Sequence, residues 1–330
     1  MAIVTNTFQS TAAVGNREEL SNIVSRITPE DTPMYSKMGK GKASSTSPQW
    51  EIDQLRAPAA NAQLEGDQYS FNGITPPTRV KNYTQIFRDS WIVSRTQEAV
   101  DNAGSVEKTT EAKIKTGIVL KKDVELSILS NSASVAGATR VSGGLPTWLT
   151  SNVSRGAGGA NGGYNTGTGL TVAETTGTQR AMTKAMFDNV MQQVYQSGGN
   201  VSDVQLSPYN KSVFVTFMSD TNVASFRYSA DGRGKNTIVG TADIYEGPYG
   251  KVTVTPNRVM ATSAAVARRA FFMDYDMVEW LWLRPLQEDP EVVINADARA
   301  GVIVGEGTLA VKNQAGIGVI ADLFGLTAAS

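Results

Sequence analysis

Ser105-Val-Glu-Lys108 and Lys115-Thr116-Gly117 are the two short motifs in this 330-residue chain with an obvious chemistry. S-x-x-K and K-T-G together are the set used by penicillin-recognising serine enzymes, in which the serine is the nucleophile. In those enzymes the K-T-G lies far downstream, on a strand beside the serine. Here it starts seven residues after Lys108, within the same helical segment, so the match reads as chance. Asp274 and Asp276 are two residues apart and would share one face of a strand. Such a D-x-D could ligate a hard cation such as Mg²⁺, although a solvated strand edge or turn is the plainer reading. Glu288, Asp289 and Glu291 could supply a carboxylate pair, but nothing around them in sequence builds the apolar pocket that raises one carboxyl pKa for acid catalysis. Gly39-Lys40, Gly41-Lys42, Gly234-Lys235 and Gly250-Lys251 all lack the following Ser or Thr of a phosphate loop. The glycines at 156–169 do not fit G-x-G-x-x-G.

Two absences narrow the chemistry further. The chain has no cysteine and no histidine. Disulfides, thiolate nucleophiles, Ser-His-Asp triads and Cys- or His-ligated metal sites are excluded. Lys+Arg number 30 and Asp+Glu 31, for a net charge of -1, which is not the basic excess of a dedicated nucleic-acid binder. Charged residues make up 18%, below the roughly 25% of ordinary soluble domains, and suit a chain that hides much of itself against other chains. No run of about 18 apolar residues predicts a membrane span. MAIVTNTFQS lacks the basic and apolar regions of a secretory leader. The sequons at Asn82, Asn152, Asn200 and Asn210 are then fortuitous, and a reducing cytosol is the expected place of synthesis.

The elements that would position these residues read as follows. Residues 1–16 form an extended polar arm. Leu20, Ile23, Val24 and Ile27 repeat at helical spacing and predict a short amphipathic helix over 17–27, ended by Pro29. Residues 29–48 read as a loop with a basic tip at Lys37, Lys40 and Lys42. Residues 49–56 and 78–94 alternate, and with the polar, proline-bearing stretch 57–77 between them they predict a long two-stranded finger. Such a hairpin is marginal alone and needs another surface. Residues 105–129 contain no proline and carry Ile114, Ile118, Leu120, Val124, Ile128 and Leu129, predicting a helix of about 37 Å. Residues 131–178 hold 11 of the 31 glycines and only three charges, Arg140, Arg155 and Glu174. By composition this is a flexible linker, and a neighbouring chain is the simple candidate for holding it. A second amphipathic helix follows over 180–197, capped by Gly198. Then come a strand at 203–207, a helix after Pro208, an alternating run over 237–260 with turn signals at Gly247-Pro248 and Gly250, and strand-like runs at 270–284 and 291–323. Lys37, Lys40 and Lys42, and separately Arg227, Arg233 and Lys235, make small basic patches that could touch phosphates or acidic surfaces. Trp50, Trp91, Trp148, Trp280 and Trp282 read as core or subunit-contact aromatics. The residues themselves lead to an α+β protein with extended, adhesive appendages.

The order of parts carries a family resemblance. SRITPEDTPMYSKMGKGKASSTSPQWEIDQL (25–55) resembles the start of one group of tailed-phage major capsid proteins of the Hong Kong 97 type, through Pro29, Asp31-Thr32-Pro33, Gly39, Trp50, Asp53 and Leu55. SRTQEAVDNAG (94–104) with LKKDVELSIL (120–129) is similar to the spine segment of that family, and GGLPTWL (143–149) to the motif after it. YEGPYGKVTVTPNRVM (245–260), LRPLQEDP (283–290) and GEGTLAVKNQAGIGVI (305–320) resemble its closing strands. The resemblance implies an α+β Hong Kong 97-type capsid fold: an N-terminal arm and short helix over 1–40, an extended β-hairpin loop over 41–86, a peripheral domain with a long spine helix and a Gly-rich insertion over 87–180 and 263–330, and an axial domain over 181–262. It implies a major capsid protein that assembles with itself as pentamers and hexamers into an icosahedral or prolate shell around double-stranded DNA, touched non-specifically. A separate scaffolding protein, a portal and possible decoration proteins would be partners. Assembly would take place in the bacterial host cytoplasm, with no membrane, cofactor, metal or catalytic residue. Intersubunit contacts are expected at Lys40, Lys42, Trp50, Arg56, Glu65, Asp67, Arg79, Trp148, Arg227 and Arg233. The competing readings are an encapsulin-like nanocompartment shell and a carboxylate-based or Ser–Lys enzyme. Relatives that cross-link Lys to Asn exist, but no pair is assigned here.

Overall fold

In the computed structural model the described residues are 30–69, 71–100, 107–217, 228–231, 235–238, 243–294 and 296–328. The expected arm and the helix over 17–27 lie outside them. The described chain runs α1 (Pro33–Lys37), β1 (Gly39–Lys42), β2 (Gln49–Ile52), β3 (Thr78–Lys81), β4 (Gln85–Ser94), α2 (Arg95–Ala99) and α3 (Lys108–Leu129). Then come β5 (Val153–Ser154), β6 (Gly163–Asn165), β7 (Leu170–Val172), α4 (Lys184–Gln196), β8 (Asp203–Leu206), α5 (Pro208–Thr216), β9 (Tyr228–Asp231), β10 (Lys235–Ile238), β11 (Ile244–Gly247) and β12 (Gly250–Pro256). It closes with α6 (Ala264–Ala267), β13 (Ala270–Met273), β14 (Val278–Glu288), β15 (Ala298–Val311) and β16 (Gly318–Ile320).

Alternation along the strands builds two cores around one sheet. The six-stranded sheet has the order β11-β12-β8-β13-β16-β5. In β13, Phe271 and Met273 enter one core while Ala270 and Phe272 enter the other. In β16, Val319 and Ile320 divide the same way. A period of two makes that division automatic. The first core also takes Leu120, Val124, Ile128 and Leu129 of α3 and Trp280 of β14. The second takes Phe187, Val190 and Val194 of α4 and Phe214 of α5. Thr183 caps α4 by accepting from the Met186 N–H, and Gly198, at φ +87°, closes it where a side chain would be strained. A second sheet, β1-β14-β15-β4, has antiparallel β14/β15 and β15/β4 ladders and a parallel β1/β14 edge. Its register slips between Trp282 and Arg284 and again between Arg284 and Gln287, around Pro285, which has no N–H to give the ladder.

Four sequence expectations change. Residues 39–42, read as a loop, form β1: Gly39-Lys40-Gly41-Lys42 pairs in parallel with Glu279–Trp282. The single strand expected over 78–94 is two. β3 pairs with β2, and β4 pairs with β15 in the other sheet. The break at Asn82–Thr84 is held by the buried Asn82 amide, which donates to the Leu309 carbonyl at 2.7 Å while its oxygen accepts from the Gly143 N–H. The apolar stripe of the long helix is buried only toward its end, since Ile114 is exposed and Ile118 half-buried. α3 itself has 22 residues, about 33 Å.

The Gly-rich stretch is folded onto its own chain. The Glu174 carboxylate takes an ion pair from Arg155 and, at 2.5 Å, another from Arg269. The Asp322 carboxylate accepts from the Gly156 and Gly177 N–H groups at 3.0 and 2.9 Å. A Cβ on Gly144 would stand 2.0 Å from the Ser130 carbonyl oxygen, and one on Gly156 would stand 2.0 Å from that of Thr178. These glycines allow close packing of backbone on backbone, so no neighbouring chain is needed to hold them.

Candidate assembly surface

β2 and β3 form a four-pair antiparallel ladder, Gln49↔Lys81 to Ile52↔Thr78. Beyond it, no described residue of 53–77 pairs in a strand. Leu55, Tyr69, Phe71 and Ile74 are each at least 90% exposed, and Leu64 is 78% exposed. One exposed apolar side chain means little, but a run of them on one loop marks a surface that is covered by something else. Leu64–Asp67 closes a turn through the Asp67 N–H to the Leu64 carbonyl, with Gly66 at φ +82°. Glu65 and Asp67 project from this turn, both exposed. Arg56 lies on the outgoing arm of the loop and donates to the neighbouring Ala57 carbonyl.

The base of the loop is anchored by aromatics. Trp50 donates its indole N–H to the Val311 carbonyl at 2.8 Å and lies 5.5 Å from the Trp148 ring. Trp148 stacks on Tyr164 of β6 at 5.6 Å with the rings 4° from parallel. Trp148 is 3% exposed and belongs to the first core of its own chain. Trp50, half-buried, likewise packs within its own subunit. Arg79 pairs with Glu51 at 3.5 Å on the exposed ladder. Lys40 and Lys42 are exposed on β1, Lys40 with its ammonium 4.8 Å from the Tyr35 ring centroid. Arg227 and Arg233 lie outside the described residues. The structure thus brings Trp50, Arg79 and Trp148 together at the loop base, with Arg56, Glu65 and Asp67 on the loop itself.

The residues first read for chemistry are engaged otherwise. Ser105 lies outside the described residues. Lys108 and Lys115 both pair with Glu111 along α3, at 3.8 and 2.5 Å. Asp274 and Asp276 do not share a strand face. They sit on a 3-10 turn over Tyr275–Met277, where Asp274 accepts from the Asp276 and Asn200 N–H groups. Glu288 pairs with Lys113, and Asp289 accepts from the Glu291 N–H. Among the described residues no group of three or more Asp or Glu could hold a metal ion. No described helix is long and apolar enough to cross a membrane.

Sequence reasoning missed a polar junction between the spine and the six-stranded sheet. Glu125, fully buried, accepts from the Met34 and Tyr35 N–H groups at 2.9 and 2.6 Å and from the Asn257 amide at 2.6 Å. Burial pushes its carboxyl pKa up, against the opposing pull of those three donors. Asn257 donates in turn to Gln205, and Gln205 and the Tyr275 hydroxyl both donate to Asp203. Lys37 of α1 closes the chain with an ion pair to Asp203 at 2.9 Å. The one sequence signal was an acid beside Val124 in the apolar end of the spine. A second missed centre is Glu306, to which Arg140 (2.6 Å), Arg284 (3.2 Å) and the Thr84 hydroxyl (2.6 Å) converge. Burial works to raise its pKa, but these partners together lower it.

A spine helix beside a long-stranded sheet, a second sheet between two cores and a projecting loop define the class: this is the Hong Kong 97-type shell fold. The match to known proteins agrees. The capsid of a native GTA particle superposes with a TM-score of 0.57 at 11% identity, covering 94% of this chain and 97% of that one. The SrpI encapsulin of Synechococcus elongatus PCC 7942 does so with a TM-score of 0.56 at 12% identity, covering 97% of each chain. In sequence, the chain is 31% identical over 120 residues to a major capsid protein of Escherichia phage Phieco32, covering 36% of this chain and 34% of that relative's length. The model of the SU10 major capsid protein family matches residues 3–324. The chain belongs to that family.

Proposed function

We propose that this chain is the repeating subunit of a phage head, assembling with itself as pentamers and hexamers into a closed icosahedral or prolate shell around double-stranded DNA. The observation that carries this reading is the loop at 53–77, whose apolar side chains the described parts of its own subunit leave uncovered. Heterologous contacts of that kind close into rings when the rotation permits. Residues 41–86 serve as the extended loop over a neighbour. Residues 87–180 and 263–330 serve as the peripheral domain, and 181–262 as the axial domain around the capsomer axis. Near-neutral charge suits loose, sequence-independent contact with packaged DNA. The role is structural, not enzymatic. A separate scaffolding protein, a portal and decoration proteins complete the set of partners, and assembly takes place in the host cytoplasm before the subunit resides in the virion.

Electron microscopy of the purified chain, with and without a co-expressed scaffold, is the test. Closed shells with this chain as the dominant band are the expected result, and a protein monomeric under every salt and scaffold condition would refute it. The likeness to an encapsulin supports one second reading, a nanocompartment with protein cargo. Nuclease-resistant DNA in shells taken from infected cells favours the phage head, and a cargo protein in its place favours the nanocompartment.

A further inference from the structure

The chain holds two Asn-Gly pairs, Asn72-Gly73 and Asn161-Gly162, and the fold treats them differently. In this dipeptide the asparagine side chain is open to attack by the next backbone nitrogen, because glycine has no Cβ to crowd the approach. Asn161, although exposed, is tied at both atoms of its amide. Its Oδ1 accepts from the Arg155 Nε–H at 3.0 Å, and its Nδ2 donates to the Thr150 carbonyl at 2.9 Å. Gly162 is buried, with the carbonyl oxygens of Pro146 and Val172 2.6 and 2.9 Å from where its Cβ would stand. Asn72 and Gly73 are both exposed, on the returning arm of the 53–77 loop. Among the described residues no hydrogen bond holds the Asn72 side chain or the Gly73 N–H. Nothing lies within 4 Å of where a Gly73 Cβ would stand.

We propose that Asn72 is a site of spontaneous covalent modification in the unassembled subunit. The Gly73 nitrogen gives up its proton and attacks the Asn72 Cγ. A new N–Cγ bond closes a succinimide ring, the Cγ–Nδ2 bond breaks, and the amide leaves with that proton as ammonia. Water then opens the ring. Cleavage at Cγ gives aspartate, and cleavage at the Asn72 backbone carbonyl gives isoaspartate, with the chain routed through the former side chain. Either product adds one negative charge to a chain whose formal net charge is -1, on the loop that already carries Glu65 and Asp67. The modification does not depend on the shell reading.

Peptide mapping tests it. Trypsin cuts after Arg56 and Arg79 and after Arg155 and Arg180, so each Asn-Gly pair falls on its own peptide, 57–79 or 156–180. The purified, unassembled subunit is incubated in mildly acidic and mildly alkaline buffer, and both peptides are followed by mass spectrometry. Asn161 must break both amide hydrogen bonds before it can cyclise, so Asn72 should convert about tenfold faster or more. The Asn72 rate should rise with pH, because the attacking nitrogen must lose its proton. An isoaspartate methyltransferase should label peptide 57–79. Gly73→Ala meets open space and no left-handed φ, so it should keep the melting temperature while slowing conversion by a similar factor. The comparison of Asn72 with Asn161 needs no variant and decides the matter if Gly73→Ala fails to fold. Equal rates at the two asparagines, a Gly73→Ala chain that converts as fast as the native one, or aspartate without isoaspartate would each overturn the proposal.

Discussion

Two buried glutamates respond to pH in opposite directions. The Glu125 pKa is raised by burial, so its folded form binds a proton more readily than the unfolded chain does. Its contribution to stability is fully present below the unfolded value near 4.5 and is lost as pH rises through the folded pKa. The Glu306 pKa is lowered by Thr84, Arg140 and Arg284 acting together against burial. Its contribution is present above 4.5 and is lost as pH falls through the folded pKa. The advantage of the native chain over Glu125→Ala should therefore shrink as pH rises above 4.5, and its advantage over Glu306→Ala should shrink as pH falls below 4.5. Urea melts of the unassembled subunit on both sides of pH 4.5 test both slopes. Glu125→Ala should also lose about 2–4 kcal/mol at low pH, because three N–H donors are left without an acceptor. Little of this was legible in sequence. Glu125 reads as one acid among the many of the spine, and Glu306 meets Arg140 across 166 residues. The aromatics were legible as a class, but only the fold buries Trp148 in the core and leaves Arg56 exposed on the loop.

At the scale of elements, the spine, α4, α5 and the strands β8 and β12–β15 follow from apolar spacing, because each buries a regular face. Those that escaped bury none. β1 is Gly-Lys-Gly-Lys on a sheet edge, where Gly41 gives room to Glu279 and Leu281. The Gly-rich stretch looks like a linker because its anchors, Arg269 and Asp322, are 95 and 166 residues from the groups they hold. Two glycine substitutions separate the roles. Gly144→Ala would push a methyl against the Ser130 carbonyl and should destabilise the subunit by about 2–3 kcal/mol or abolish soluble protein. Gly117→Ala lies in the spine with open space around its Cβ and should stabilise by about 0.5–1 kcal/mol. Chemical denaturation of the two variants reads both signs.

For the molecule as a whole, the loop and the cores are separable. None of the described residues of 57–77 belongs to either core. Deleting that stretch should leave a cooperative melt close to that of the full chain and remove shells from the electron micrographs. Normal shells from the deletion would show that assembly runs through another surface. From composition alone, low charge with a hairpin that cannot stand alone points to covered surface. The aromatic base of the loop lay beyond sequence, because it is gathered from residues 50, 148 and 164.

The anchoring of Gly156 and Gly177 by Asp322 also sets an order in time. A ribosome making about 5–20 residues per second needs on the order of 8–33 s to travel the 166 positions from Gly156 to Asp322. Until then the Gly-rich stretch lacks the carboxylate that pins it. Val311, the acceptor for Trp50, is likewise made 261 positions after its donor. A nascent chain therefore displays its exposed loop well before the residues that anchor the base of that loop have been made.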